Sequence, residues 1–255
     1  MKTVAIIQAR MGSTRLPGKV MLPLDGPHVL THDVQRVRKA DTVDEVIVAT
    51  STKTADDIVA RYADRAGATV FRGSEDDVLD RMFSAATEAN AETVVRITGD
   101  CPLIDRDVID TVVNRLATEG IDYCSNTFER TFPRGLDVEA FTYESFEHVY
   151  ENAKEPHHRE HVTPYYREND DQFNIVSVTS KEVFDQPWMQ DRADLRLTLD
   201  EADDYELLRE VYDQVEYEDI LPIKDAISVI DDQDLHKLNA EVKQKSVKSD
   251  GDSSD

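Results

Sequence analysis

The chain predicts an α/β protein, with a mostly parallel sheet covered by helices. Three observations carry this. Short apolar, β-branched runs alternate with amphipathic segments of helical spacing through the first half. The runs are apolar on both faces, as strands covered by helices on both sides must be. A loop rich in glycine and cations, QARMGSTRLPGKV (8–20), follows directly on the first run. Open α/β sheets bind ligands at such strand ends.

TVAIIQA (3–9) reads as a buried first strand. Residues 28–39 follow as a helix, with Val29, Leu30, Val34 and Val37 at helical spacing. EVIVAT (45–50) is the second strand, and 54–66 an amphipathic helix stopped by Gly67. TVF (69–71) is a short third strand, 75–90 a helix and ETVVRIT (92–98) a fourth strand. The second half is less regular. Residues 105–118 read as a helix, IDYCSN and LDVEAF as strands, and 144–153 and 157–168 as helices separated by Pro156. FNIVSVTS and LRLTL are further strands, 202–215 a helix and 231–242 a last helix. One domain over 1–242 is expected, with 132–188 a small insertion for substrate binding or dimerisation. Residues 243–255, rich in Lys, Ser, Asp and Gly, read as a disordered acidic tail.

Hydrophobic residues make up 40% of the 255, enough for a core, so global disorder is excluded. The formal net charge of -24 repels nucleic acid and anionic membranes, so neither is expected as a partner. The acid is spread along the whole chain, a pattern suited to solvation at high salt, and a halophilic source is expected. Cys101 and Cys124 form neither a CxxC nor a Cys/His metal spacing and read as reduced core residues. No apolar run reaches the ~18 residues of a membrane span, and no signal peptide pattern opens the chain. A cytoplasmic protein is expected.

The loop fits neither standard phosphate motif. Five residues separate Gly12 from Gly18 and Val20 follows Lys19, which excludes a Walker A loop; G-x-G-x-x-G is absent. Pro17 stiffens the segment. Arg10, Arg15 and Lys19 concentrate three cations in an acidic chain, and guanidinium and ammonium groups suit phosphate. The alternative is a basic surface loop paired with acidic neighbours.

RMGSTRLPGKVMLPL resembles the signature loop of sugar-activating cytidylyltransferases, R-x-x-S-x-R-L-P-G-K. The nearest group is the acylneuraminate and spore coat polysaccharide type, related to 3-deoxy-manno-octulosonate cytidylyltransferase. VIVATS, VFRGSEDDVLDR, VVRITGDCPLID, DYCSNT, GLDVEAF, REHVTPYY and LRLTLDEADDYELL extend the likeness in order over roughly 3–215. The resemblance implies a nucleotide-diphospho-sugar transferase fold, GT-A-like and Rossmann-like. It also implies Mg²⁺-dependent transfer of CMP from CTP to an acidic sugar for surface polysaccharide or glycan synthesis, and a homodimer.

Asp100 ends one strand-like run before a turn, and Asp200 ends another before a helix. Each alone could be a turn or cap residue, Asp200 above all. Together with a cationic loop, two strand-end carboxylates are what a Mg²⁺-triphosphate site needs, and by resemblance they match the family's metal aspartates. Arg15, Lys19 and Asp100 are then the catalytic candidates. The nucleotide candidates are Arg10, Gly12, Ser13, Arg15 and Lys19, with Arg72, Gly73, Ser74 and Asp77 added by resemblance; Ser74 could equally cap a helix. Arg96 faces either substrate or an ion pair. Arg134 suits a sugar carboxylate, and Asp137 and Glu139 suit hydroxyls.

Two rival readings exist. HHREH fits the inverted zinc-peptidase pattern through His157, Glu160 and His161. The other is a glycosyltransferase or non-catalytic nucleotide-sugar binder of the same fold; glycosyltransferases of this fold carry a D-x-D metal motif, and DRD at 105–107 fits those letters.

Overall fold

A computed structural model describes residues 1–244. Its sheet is built outward from β1 (Thr3–Gln8), where Val4, Ala5, Ile6 and Ile7 are all fully buried. That burial follows from position: β1 has a neighbouring strand on each side and helices on both faces. The other strands are β2 (Glu45–Ser51), β3 (Thr69–Gly73), β4 (Thr93–Thr98), β5 (Tyr123–Ser125), β6 (Glu139–Thr142) and β7 (Ile175–Ser177). They stand in the order β3-β2-β1-β4-β6-β5-β7. β3, β2, β1 and β4 are mutually parallel. β6 runs against both β4 and β5, and β5 and β7 are parallel. The expected mostly parallel sheet is therefore present, with one reversed strand.

Alternate β1 side chains enter different cores, as the two-residue period of a strand requires. Ala5 and Ile7 pack with α1 (Val29–Val37), α2 (Asp57–Arg65), α4 (Arg106–Leu116), α8 (Ala202–Gln214) and α9 (Ile223–Asp232). Val4 and Ile6 pack with α3 (Val78–Glu88), α5 (Tyr143–Asn152) and α7 (Pro164–Glu168). After β1 the chain lays β2 and β3 on one side and β4 on the other. This reversal opens a crevice at the carboxyl ends of β1 and β4.

Three elements differ from expectation. LRLTL is no sheet strand: it makes one isolated bridge, Arg196 to Arg134. Among the described residues the last helix lies earlier than 231–242, as α9, and beyond it comes one 3-10 turn, Leu235–Lys237. Ile223, Ala226, Ile227 and Ile230 give α9 its buried stripe, and Pro222 starts it. The single helix expected over 157–168 is broken between α6 (Pro156–His161) and α7. Val162 there has φ 71° and ψ -64°, and the Thr163 N–H donates to the His161 carbonyl at 2.9 Å. That is a γ-turn of the rare positive-φ kind. Pro164, lacking an N–H, cannot restore the helix across it.

Residues 132–188 supply β6 and β7 to the main sheet. Of the tail expected over 243–255, residues 245–255 lie outside the described residues.

Candidate active site

The loop after β1 is held at both ends. The Gly18 N–H donates to the Met11 carbonyl at 3.0 Å, closing the loop. The Met11 N–H donates to Asp56 Oδ1 at 2.6 Å. Asp56 is buried and also accepts from the Ser51 hydroxyl at the end of β2. Asp56 is a positioning residue that sequence reasoning missed; its nearest signal is its place just beyond a strand end.

Asp100 reaches the loop through Gly99, whose N–H donates to the Gln8 carbonyl at 2.9 Å. A β-carbon on Gly99 would stand 2.9 Å from Ala9 Cβ and 3.0 Å from that carbonyl oxygen, so only glycine permits this approach. Asp200 arrives by another route. The Leu197 N–H donates to the Arg134 carbonyl at 2.7 Å, and the Leu199 N–H to the Asp100 carbonyl at 2.8 Å. Gly135 makes room: at φ +101°, a β-carbon there would lie 2.5 Å from the Leu197 carbonyl carbon. Asp200 thus stands beside Asp100 without ending a sheet strand.

The two carboxylates meet on Lys19. Its Nζ lies 2.5 Å from Asp100 Oδ2 and 2.8 Å from Asp200 Oδ1. Arg15 Nη2 lies 2.8 Å from Asp200 Oδ1, and Arg15 Nη1 3.4 Å from Glu201 Oε1. Arg196 Nη2 holds the other Asp200 oxygen at 2.6 Å, and Arg196 Nε binds Asp204 Oδ1 at 2.9 Å. Sequence reasoning missed Arg196. Burial opposes charge on Lys19, but Asp100 and Asp200 outweigh it and hold its pKa above the lysine value. Burial likewise opposes charge on Asp200, yet Lys19, Arg15 and Arg196 keep its pKa below the usual carboxylate range.

The cap reading of Asp200 is corrected. Glu201 is the N-cap of α8, and Asp204 Oδ2 accepts the N–H groups of Asp200 and Glu201 at 2.9 and 3.0 Å. The cap reading of Ser74 is corrected too. Asp77 caps α3, accepting from the Asp80 N–H at 2.9 Å, while the Ser74 hydroxyl accepts from the Asp77 N–H at 3.1 Å.

The remaining nucleotide candidates line the carboxyl edge in two states of engagement. Arg10 faces Glu75 at 3.6 Å, near Gly12, and Glu75 also pairs with Lys53. Ser13 Oγ accepts from the Leu16 N–H at 3.4 Å inside the loop. Arg72, beside Gly73, is committed to the Ser51 and Lys53 carbonyls at 2.9 Å each and to Asp57 at 2.6 Å. Asp77 pairs with Arg159.

All four substrate candidates, Arg96, Arg134, Asp137 and Glu139, line one cavity of about 520 Å³. Thr98, two residues before Asp100, also lines it. Arg96 bonds Glu139, which accepts from the Tyr123 hydroxyl. The ion-pair reading of Arg96 therefore holds, on the cavity wall. Arg130 pairs with Asp137. Arg134 alone of these four has no ion-pair or side-chain hydrogen-bond partner among the described residues. Its burial, and then the nearby Arg130, lower its pKa from the ordinary arginine value. Arg130, Arg167 and His161 complete the wall and were not foreseen. A larger cavity of about 680 Å³, bordered by Arg36 and Tyr217, contains none of the nucleotide, substrate or metal candidates, only the DRD stretch of the rival reading.

Neither rival motif assembles as its letters require. His157 Nε2 and His158 Nε2 both face Glu168, at 3.0 and 2.7 Å, in place of His157, Glu160 and His161 meeting. A metal on His158 Nε2 would put the ring proton on Nδ1, which is buried with no partner among the described residues. Of the DRD stretch, Asp105 caps α4 by accepting from the Asp107 and Val108 N–H groups. Asp107 pairs with its neighbour Arg106 at 3.4 Å on the surface.

Sheet order and crevice define an α/β protein of the kind that handles nucleotides at a topological switch point. The chain matches the Cytidylyltransferase family over residues 4–233 and belongs to it. An uncharacterized protein of Methanocaldococcus jannaschii is 36% identical over 247 residues, 96% of this chain and 98% of that one. The spore coat polysaccharide biosynthesis protein SpsF of Bacillus subtilis is 35% identical over 212 residues, 81% of this chain and 85% of that one. A solved cytidylyltransferase structure from Leptospira borgpetersenii matches with a TM-score of 0.87 and 34% identity, covering 96% of this chain and 100% of that one. No helix among the described residues is long and apolar enough to cross a membrane.

Proposed function

We propose that this cytidylyltransferase moves CMP from CTP to an acidic sugar of the nonulosonate type, with release of pyrophosphate, for surface polysaccharide or glycan synthesis. The observation that carries this reading is the convergence of Asp100, Asp200, Lys19 and Arg15 at the switch point, next to a cavity walled by arginines.

The donor set fits Mg²⁺. Two hard carboxylate oxygens already close on one cationic point, and Mg²⁺ takes one or two carboxylates together with substrate phosphates and water. Asp100 and Asp200 would hold the ion, which when bound neutralises charge on the α-phosphate. The protein's own groups do the rest. The loop from Arg10 to Lys19 binds the triphosphate, with Arg15 and Lys19 stabilising the charge that develops on departing pyrophosphate. Arg134 receives the sugar carboxylate, while Asp137 and Glu139 face its hydroxyls. A sugar oxygen attacks the α-phosphorus as the bond to pyrophosphate breaks. Arg72, Gly73, Ser74 and Asp77 border the nucleoside side.

Residues 132–188 are read as the substrate and subunit-contact segment of a homodimer, a reading supported by Trp188, 45% exposed at its end. The acidic surface is read as halophilic. Pyrophosphate release, measured for each nucleoside triphosphate against a panel of acidic and neutral sugars with Mg²⁺ at high salt, tests the reading. Release with CTP and an acidic sugar is expected; release only with another nucleotide, or only with neutral sugars, overturns it.

A further inference from the structure

We propose that Lys19 is a built-in placeholder cation, seated between Asp100 and Asp200 so that the free enzyme resists a divalent metal until a triphosphate draws the ammonium away. The inference rests on the reading of Asp100 and Asp200 as metal carboxylates and goes beyond it. The Lys19 ammonium lies 2.5 and 2.8 Å from one oxygen of each carboxylate. Both oxygens therefore converge on one ammonium. Arg196 occupies the far oxygen of Asp200, and Arg15 shares the near one. Three of the four carboxylate oxygens, Asp100 Oδ2 and both of Asp200, are thus engaged by cations of the chain itself.

A divalent ion needs its carboxylate oxygens at ~2.0–2.1 Å. It cannot reach both while an ammonium holds the same two atoms, because the positive charges repel at that range. Lys19 has to leave, and another anion compensates its charge when it does. A triphosphate bound along the loop that ends at Lys19 supplies one. Metal and nucleotide affinities are then linked, and the linkage is reciprocal. The free enzyme keeps its carboxylates neutralised and its crevice free of stray metal.

The test is Mn²⁺ binding by the full chain without nucleotide, read from loss of the free-ion electron paramagnetic resonance signal. Lys19→Met and Lys19→Gln, each checked for the native melting transition, should bind Mn²⁺ about tenfold or more tighter than the unaltered chain. Adding Asp100→Asn and Asp200→Asn to Lys19→Met should abolish that gain. Equal Mn²⁺ affinity in the unaltered chain and both Lys19 variants overturns the placeholder while leaving the carboxylates as metal ligands. A gain that survives loss of both aspartates overturns the metal reading itself, and the placeholder with it.

Discussion

Asp200 lies one residue before the N-cap of α8, and the capping groups are Glu201 and Asp204. Asp200→Asn therefore removes a charge from the site without uncapping a helix. Activity is expected to fall by roughly ten- to a hundredfold, the range of one charge-assisted contact at ~1.5–3 kcal/mol, with the melting transition preserved. A fully active Asp200→Asn protein ends the two-aspartate mechanism. Lys19→Ala and Arg15→Ala should each depress CTP turnover to a similar degree in a steady-state assay, whereas His157→Ala should leave it unchanged.

Asp33 on α1 shows a different behaviour. It is fully buried, and neither carboxylate oxygen has a hydrogen-bond partner of ordinary geometry among the described residues. Burial, and then the Asp100 charge, push its pKa well above the usual carboxylate range. A folded pKa raised above the unfolded one gives stability that is complete below the unfolded pKa and is lost as pH rises through the folded one. Asp33→Asn, neutral at all pH, should gain stability over the unaltered chain as pH rises. Urea midpoints at about pH 5 and about pH 8 check this; a difference independent of pH contradicts it.

At the scale of elements, the site depends on close backbone approaches. The loop after β1 meets β4 through Gly99, and the Leu195 to Asp200 segment meets Arg134 through Gly135. Gly135→Ala places a β-carbon against the Leu197 backbone at an unfavourable φ, and a cost of about 1–3 kcal/mol is expected. Because that approach aims Asp200, turnover should fall further than the loss of folded protein explains. Circular dichroism melts beside the pyrophosphate assay separate the two effects. Helix spacing, strand alternation and proline placement made most elements readable. The break at Val162 was half readable: Pro164 announces an irregularity, but a buried valine at positive φ follows no local rule. LRLTL carries a strand's pattern because its leucines are buried, yet the sheet ends at β7 and gives it no partner ladder.

For the whole molecule, charge dominates. A formal net charge of -24 on one chain repels itself, and salt screens that repulsion within a Debye length of ~3 Å at 1 M. The melting temperature should climb steadily as KCl is raised from about 0.1 M toward multimolar concentrations. A melting temperature flat across that range counts against a halophilic reading.

The sequence alone determined the sheet's class, because burial on both faces leaves a continuous apolar run wherever a strand is central. It also marked the loop residues, since glycine, proline and three cations in so acidic a chain are a local property. The likeness over roughly 3–215 named the family. Tertiary structure alone decided what those residues face. Lys19 and Asp200 are separated by 181 positions and meet at 2.8 Å. No periodicity encodes that meeting: it is made by Gly135 admitting the Leu197 backbone and by the Leu199 N–H reaching the Asp100 carbonyl. Arg196, Asp56 and Arg130 joined the site for the same reason. A side chain's partners are set by which backbones can approach, and that depends on the whole packed fold.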